Sequence, residues 1–430
     1  MNLNEIILGN KEVLIQDVLD TVKYESVKAK AEPGMPEGRK VHEVLEAVLA
    51  LGKERGFETK NLGGHSGYIE YGEGDDYVAV LGHLDVVPVG EGWTKNPHGE
   101  VVGERIYGRG TMDDKGPMMA AFHGLMAIKE EKPKLTHRIR LIFGTSEETG
   151  GDDIKHYLET EAQPVSGFTP DAEFPAIHAE MGILVQKISI PVDAPLLSLE
   201  GGQAVNMVPD FAYAKFLDQG EEKTLRIEGV SAHGSTPEKG KNAISMLLQQ
   251  LAGEKAMEPL KKPLSVLVYN LTRDLDGKNM GVDFKDDPSG KLILNLGKIT
   301  LEQGMLETYI NIRYPVTIKK EQVTKRIEDL FEAEGFKVET LGHDGPLYYE
   351  KNNPMIKKLM AVYAKETGDQ SEPLAIGGGT YAKMMKNIVA FGPYLPGRPD
   401  TIHQLDEYAE IEDLLTCAKI YAHAMVELAK

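Results

Sequence analysis

Residues with the means to do chemistry fall into a handful of short stretches. Gly82-His83-Leu84-Asp85-Val86 follows the apolar run Tyr77-Val78-Ala79-Val80-Leu81. Such an unbroken run marks a parallel strand buried on both faces. Polar residues that appear at the C-terminal end of such a strand stand where open α/β sheets keep their ligands. An imidazole there, with a carboxylate two residues on, could be a metal ligand and the group that orients it. Alone, the pair reads as readily as a hydrogen-bonded strand-end histidine. Gly108-Arg109-Gly110-Thr111-Met112-Asp113-Asp114-Lys115-Gly116 places a carboxylate pair inside a glycine-flanked turn, or caps a helix with acidic residues. Thr145-Ser146-Glu147-Glu148-Thr149-Gly150 follows the apolar stretch 138–143. Two adjacent glutamates at a strand end can point apart, one binding metal while the other serves as a base; the alternative is a solvated first helical turn. Asp171, in Phe168-Thr169-Pro170-Asp171-Ala172, and His403, in Asp400-Thr401-Ile402-His403-Gln404, complete the set.

Mixed imidazole and carboxylate donors suit Zn²⁺, with Mn²⁺ or Co²⁺ as alternatives, and do not suit Mg²⁺ or Ca²⁺. His83, His403 and three carboxylates exceed what one tetrahedral zinc takes. They would serve two divalent ions ~3.5–4 Å apart that share a bridging carboxylate, activate a water and polarise a carbonyl.

Such donors need a scaffold that delivers segments distant in sequence to one place. Helical periodicity covers 5–22 and 40–51, strands are predicted at 67–71, 77–81 and 138–143, and helices at 114–130 and 153–159. This alternation predicts an α/β layer on a mostly parallel sheet. From 181 the pattern changes. Alternating runs at 184–190 and 224–227 predict an antiparallel sheet, covered by helices at 241–252 and 319–334. The α/β pattern returns with a helix at 354–367, a strand at 388–391 and a last helix over 408–429. The predicted organisation is a discontinuous catalytic domain, 1–180 and 343–430, with an α+β lid domain inserted at 181–342.

At 430 residues, two domains are the natural expectation. The 48 Lys and Arg against 67 Asp and Glu give a net charge of -19, which argues against nucleic acid or anionic membrane as a partner. The first residues carry no basic segment followed by an apolar core, and no stretch approaches the ~20 apolar residues of a membrane span. Cys417, the one cysteine, lies in an apolar-periodic helix and reads as a buried filler. A cytoplasmic location is the resulting expectation.

Taken together, GHLDVVP, GRGTMDDKGP, GTSEETGG, FTPDAEFP and PGRPDTIHQLDEY resemble the metal-site blocks of the M20 metallopeptidase family. The last two, with GGGTYAK at 377–383, are most similar to its PepV-type dipeptidases. The resemblance implies a zinc-peptidase catalytic domain with a lid, and roles position by position. His83 would bind one metal with Asp85 behind it, and Asp113 would bridge the pair, followed by a cis peptide to Asp114. Glu147 would be the general base, Glu148 a metal ligand, and Asp171 and His403 would complete the two shells.

In the lid, Ser231-Ala232-His233-Gly234-Ser235 resembles the family's segment whose histidine binds the carbonyl oxygen as it becomes an oxyanion. Asn206 and Arg313 resemble residues that hold substrate, and an arginine can grip a free C-terminal carboxylate with both arms. Read without the family, His233 is a turn histidine and Arg313 a strand-face arginine. Gly377-Gly378-Gly379-Thr380 is predicted to lead into a helix, where backbone N–H groups could cradle an anion; the resemblance implies a substrate-carboxylate site at Gly378, Gly379 and Thr380.

The implied activity is a two-metal dipeptidase on small peptide substrates, with Zn²⁺ the expected pair of ions and Mn²⁺ or Co²⁺ the alternatives. The alternatives are an M20-type N-acyl amino acid deacylase and, remotely, a non-catalytic metal-binding protein. A lid of this length predicts a monomer whose lid histidine serves its own site. Shorter family members take that histidine from a partner subunit, so a dimer through the lid is the alternative.

Overall fold

The structure, a computed structural model, describes residues 2–193 and 195–430. The chain divides into two compact units: Met1–His178 with Tyr349–Leu374 and Thr380–Lys430, and Ala179–Tyr348 with Ala375–Gly379.

In the first unit the central strand Tyr77–His83 is buried along its whole length, as its apolar sequence requires. It pairs in parallel with Arg138–Gly144 on one side and Ser166–Thr169 on the other, and Ser166–Thr169 pairs in parallel with Ile388–Ala390. The parallel part stops there. Ser66–Tyr71 runs antiparallel to Arg138–Gly144, Glu58–Leu62 antiparallel to Ser66–Tyr71, and Ile177–Glu180 antiparallel to Ile388–Ala390. The sheet is therefore mixed, with a parallel centre and antiparallel margins. Of these antiparallel pairs, Glu58–Leu62 with Ser66–Tyr71 is a hairpin whose short turn can only reverse the chain, and the other two join segments distant in sequence.

Helices cover this sheet. Lys115–Glu131 is buried on nearly every face over its first fourteen positions and packs against Ile411–Leu428. The predicted helix over 5–22 is two, Leu3–Gly9 and Lys11–Val22, separated at Asn10. Arg39–Glu54 continues through Gly52, where a Cβ would lie 2.6 Å from Ile69; the glycine lets helix and strand approach closely and does not end the helix.

The parallel centre is what gathers the site. His83 is in register with Gly144, and Val80 with Phe168. The chain thus leaves three neighbouring strands at one sheet edge, towards Asp85, towards Glu147 and Glu148, and towards Asp171.

The second unit holds a seven-stranded antiparallel sheet. Its order is Glu221–Glu228, Phe211–Asp218, Leu196–Gly201, Ile293–Glu302, Met305–Tyr314, Gly182–Pro191 and Lys337–Asp344. Helices Ala243–Gly253, Lys261–Leu271 and Lys320–Ala333 bury Leu247, Leu267, Ile327 and Phe331 into a core with Leu184, Ile188, Ile310 and Ile312 of the strands. Asn242 starts the first of these helices by accepting the Ser245 N–H at 3.0 Å. Among the described residues, no helix is long and apolar enough to cross a membrane.

Candidate functional site

The first unit brings His83, Asp85, Asp113, Glu147, Glu148, Asp171 and His403 into one cluster. The Asp113 carboxylate stands at its middle. One oxygen lies 2.9 Å from His83 Nε2 and the other 2.9 Å from His403 Nε2. His403 Nε2 is also 3.0 Å from Glu148 Oε1, and His83 Nε2 is 3.9 Å from Asp171 Oδ2. The donor atoms fall into two groups, His83 with Glu147 and Asp171, and Asp113 with Glu148 and His403, each within 4.8 Å.

Each side chain is held from behind. His83 Nδ1 lies 3.0 Å from the Asp85 carbonyl oxygen, which fixes that nitrogen as the donor and leaves Nε2 as the one that could ligate a metal. The Asp85 carboxylate accepts the N–H groups of Glu147 at 3.2 Å and Glu148 at 3.1 Å. One buried aspartate thereby ties the histidine to the glutamate turn, which is a single 3₁₀ turn, Glu147–Thr149. Gly82 has no room for a side chain: a Cβ would meet Asp114 Oδ2 at 2.1 Å and Met118 Sδ at 2.4 Å. The peptide bond joining Asp113 to Asp114 is cis, and His403 takes a left-handed backbone, φ 61°.

The electrostatics suit cations. Burial, reinforced by Asp113 and Glu147, pushes the Asp171 carboxyl well above the usual carboxylate range. Burial likewise raises Glu147 to about 8, with the charges of Asp113, Glu148 and Asp85 adding to the shift and His83 opposing it. Burial acts against the charge on Asp113, but hydrogen bonds from His403 and His83 hold it below the ordinary range. His403 is disfavoured as a cation by burial and still raised to about 10 by its bonds to Asp113 and Glu148. So many carboxylates in one enclosed place repel one another unless a cation sits among them. Two groups of one imidazole and two carboxylates, joined at Asp113, fit a pair of divalent ions of the zinc type.

Several supporting residues are given no role by the sequence pattern, although Tyr381 and Glu407 lie within the GGGTYAK and PGRPDTIHQLDEY blocks. Asp153 Oδ2 accepts the N–H groups of Thr145 at 2.5 Å and Ser146 at 3.1 Å, and the Tyr381 hydroxyl at 2.6 Å. Tyr381 in turn sets its ring edge-on to His83, with centroids 6.0 Å apart. Glu407 bonds to the turn before Asp113. Asp153 and Glu407 look like surface acids in sequence; only contact between distant segments reveals them.

The second unit has its own constellation. Met207–Val208 pairs with Ala232–His233, and the Gly234 N–H donates to the Asn206 carbonyl oxygen at 2.7 Å, so Asn206 and His233 are neighbours. His233 is exposed, with Nδ1 2.6 Å from Ser235 Oγ. Asn295 braces the Asn206 segment by donating to the carbonyls of Val205 and Met207, at 3.0 and 2.9 Å. Arg313 is buried in Met305–Tyr314; its Nε donates to Asn311 Oδ1 at 2.8 Å and its Nη1 to the Gly377 carbonyl at 3.0 Å. Burial lowers its pKa to about 10, with the negative charge of Asp344 opposing the shift. Gly377 packs on Ser235, with a Cβ position 3.1 Å from the serine Cβ. These contacts place Asn206, His233, Arg313 and the Gly377–Gly379 loop in one neighbourhood of this unit.

The helix predicted after Thr380 is instead the four-residue 3₁₀ turn Tyr381–Met384, because Thr380 Oγ1 accepts the Ala382 N–H at 3.1 Å and the chain then extends. A turn of this length supplies no sustained N-terminal dipole, so any anion contact at Gly378, Gly379 and Thr380 would rest on individual N–H groups.

Residues 79–427 match the model of "Peptidase family M20/M25/M40". "Putative dipeptidase YtjP" of Bacillus subtilis is 40% identical over 467 aligned positions, covering 100% of both chains. The solved structure of the yeast di-peptidase Dug1p, from Saccharomyces cerevisiae, superposes with a TM-score of 0.66 at 13% identity, over 100% of this chain and 98% of that one. YXEP of Bacillus subtilis, described as a dinuclear metal binding peptidase, superposes with a TM-score of 0.57 at 11% identity, over 98% and 99%.

Proposed function

Because this chain belongs to peptidase family M20/M25/M40, we propose that it is a dipeptidase in which His83, Asp113, Glu148, Asp171 and His403 hold two divalent cations, with Asp113 shared between them and Glu147 left as the base. The observation that carries the reading is the Asp113 carboxylate, which presents one oxygen towards each histidine at 2.9 Å. That is the bridging geometry a paired site requires. The names of the relatives support the substrate class: the 40% identical chain bears the name "Putative dipeptidase YtjP", and a structural neighbour is described as a di-peptidase.

Bound ions of this kind polarise a peptide carbonyl and make a water acidic near neutral pH. The protein's own groups do the remaining work. Glu147, already raised to about 8, accepts the proton of the attacking water as its oxygen bonds to the carbonyl carbon. It returns that proton to the amine nitrogen as the C–N bond breaks, so the base is regenerated. His233 donates a hydrogen bond to the carbonyl oxygen as that oxygen gains charge. Arg313 grips the substrate's terminal carboxylate, with Asn206, Gly378, Gly379 and Thr380 as further substrate contacts. Asp85 keeps His83 and the glutamate turn in register. Zinc as the ion, action as a monomer and a cytoplasmic location belong to the same proposal.

The test is a panel of dipeptides, tripeptides and N-acetyl amino acids, assayed after chelation and after reloading with Zn²⁺ or Mn²⁺. Dipeptides should be cleaved fastest, with activity absent after chelation and restored by metal. Preferential release of acetate would assign the chain to deacylation. Undiminished turnover after exhaustive chelation would remove the two-metal reading.

A further inference from the structure

Glu407 has a larger structural share in the cluster than any sequence motif indicates. Its side chain is completely buried. Oε2 lies 2.6 Å from Arg109 Nη1, while Oε1 accepts the N–H groups of Gly110 at 3.0 Å and Met112 at 3.1 Å. Its carbonyl oxygen accepts the Gly108 N–H at 3.0 Å. Every one of these donors belongs to the turn that ends at Asp113. Glu407 itself closes the loop that carries His403.

The two loops are also joined on either side of this contact. Downstream, Tyr408–Glu410 pairs with Arg105–Tyr107. Upstream, Asp406, in a left-handed backbone (φ 55°), accepts the Thr94 N–H at 2.8 Å, the Thr94 hydroxyl at 2.7 Å and the Lys95 N–H at 3.0 Å. Arg109 is fixed in its turn, its guanidinium 5.3 Å from the Trp93 ring centroid. His83 and Asp171 leave the sheet on other strands and meet this clamp only through Asp113, whereas Asp113 and His403 both stand on the segments it joins.

From this arrangement we infer that Glu407 is a positioning residue: it sets the spacing of Asp113 and His403, and so the affinity of the cation held by Asp113, Glu148 and His403 in preference to the other. The inference rests on the two-cation reading above. Glutamine is nearly isosteric, but its amide nitrogen must face either Arg109 or the N–H groups of Gly110 and Met112. Donor would then oppose donor in a buried site. The turn would relax and one ligand pair would lose its fixed separation. Groups that orient metal ligands typically account for ~10–100-fold in metal affinity.

Isothermal titration of chelated protein with Zn²⁺ at fixed pH, paired with metal content after equilibrium dialysis, tests this. Wild type should take two ions. Glu407→Gln should bind the first with wild-type affinity and the second ~10–100-fold more weakly. Arg109→Lys, which keeps the charge but loses the fork, should shift the same ion by less and guards against a Glu407→Gln protein that does not fold. Two ions bound at wild-type affinity in both variants would overturn the positioning role, as would equal weakening of both ions. A wild type that takes fewer than two ions would overturn the two-cation reading and this inference together.

Discussion

Glu147 and Glu148 are adjacent and chemically identical, yet their surroundings separate them. Glu148 faces His403 at 3.0 Å, across from Asp113. Glu147 falls in the group with His83 and Asp171, and burial lifts it to about 8. A carboxylate whose pKa lies near neutrality is suited to take a proton and give it back. Glu147→Gln should therefore retain two ions per chain by elemental analysis while kcat falls by ~10²–10⁴-fold. Glu148→Gln should instead reduce the metal content. Unchanged turnover in the first variant, or unchanged metal in the second, would reverse the assignment. The sequence singles out His83, Asp113 and the two glutamates because each stands at the end of an apolar strand or in a glycine-flanked turn, where a polar residue is conspicuous; Asp171 and His403 come to notice only with the other blocks beside them. Asp153, Tyr381 and Glu407 stay hidden. Each acts by bonding to backbone or to a side chain that only folding brings near, and no local pattern records that.

Single strands and helices show the same division between local and distant causes. The strand Arg138–Gly144 buries Arg140 directly opposite Glu70 in the antiparallel register. Its guanidinium donates to Glu70 at 2.7 Å, to the Tyr157 hydroxyl at 2.7 Å and to Glu161 at 2.7 Å, between the rings of Tyr68 and Tyr77. Removing one member of such a buried network leaves the others uncompensated. Arg140→Met should lower unfolding stability by roughly 3–5 kcal/mol at pH 7, measured by denaturant titration. Burial opposes the charge on Glu161, but bonds from Lys60 and Arg140 bring its pKa below the ordinary value. The unfolded value is about 4.3. The contribution is thus complete above that pH and is lost as the pH falls through the lower folded value. The gap between wild type and variant should narrow from pH 7 to pH 3; a constant gap would show that Glu161 has no share in it. The alternation that revealed Gly182–Pro191 from sequence fails for Ile293–Glu302, because the register shifts between Leu296 and Lys298. Gly297 sits at that irregularity, where a Cβ would come within 2.0 Å of the Val205 carbonyl oxygen. The strand continues past a residue that looks like a break, since the Asn206 segment must come that close.

At the scale of the whole molecule the question is whose lid histidine serves which cluster. The metal-binding candidates all belong to the first unit, and His233, Asn206 and Arg313 all belong to the second. The sequence makes this division legible through a change of pattern near 181, from strand–helix alternation to period-two runs. It says nothing direct about assembly, because surface composition does not encode a partner. We propose that one chain is self-sufficient, since its insertion supplies a seven-stranded sheet and its own helical cover, a core that needs no second copy to be buried. Complementation separates the possibilities. Glu147→Gln and His233→Ala should each be inactive or nearly so, one for want of the base and the other for want of the oxyanion donor. If each lid serves its own chain, a mixture of the two, refolded together or exchanged at high concentration, keeps only the summed residual activity of its parents. If the histidine comes from a partner, mixed dimers join an intact Glu147 to an intact His233 and activity returns on mixing. Recovery of that kind, together with a dimer in sedimentation, would refute the self-sufficient chain while leaving the roles of both residues intact.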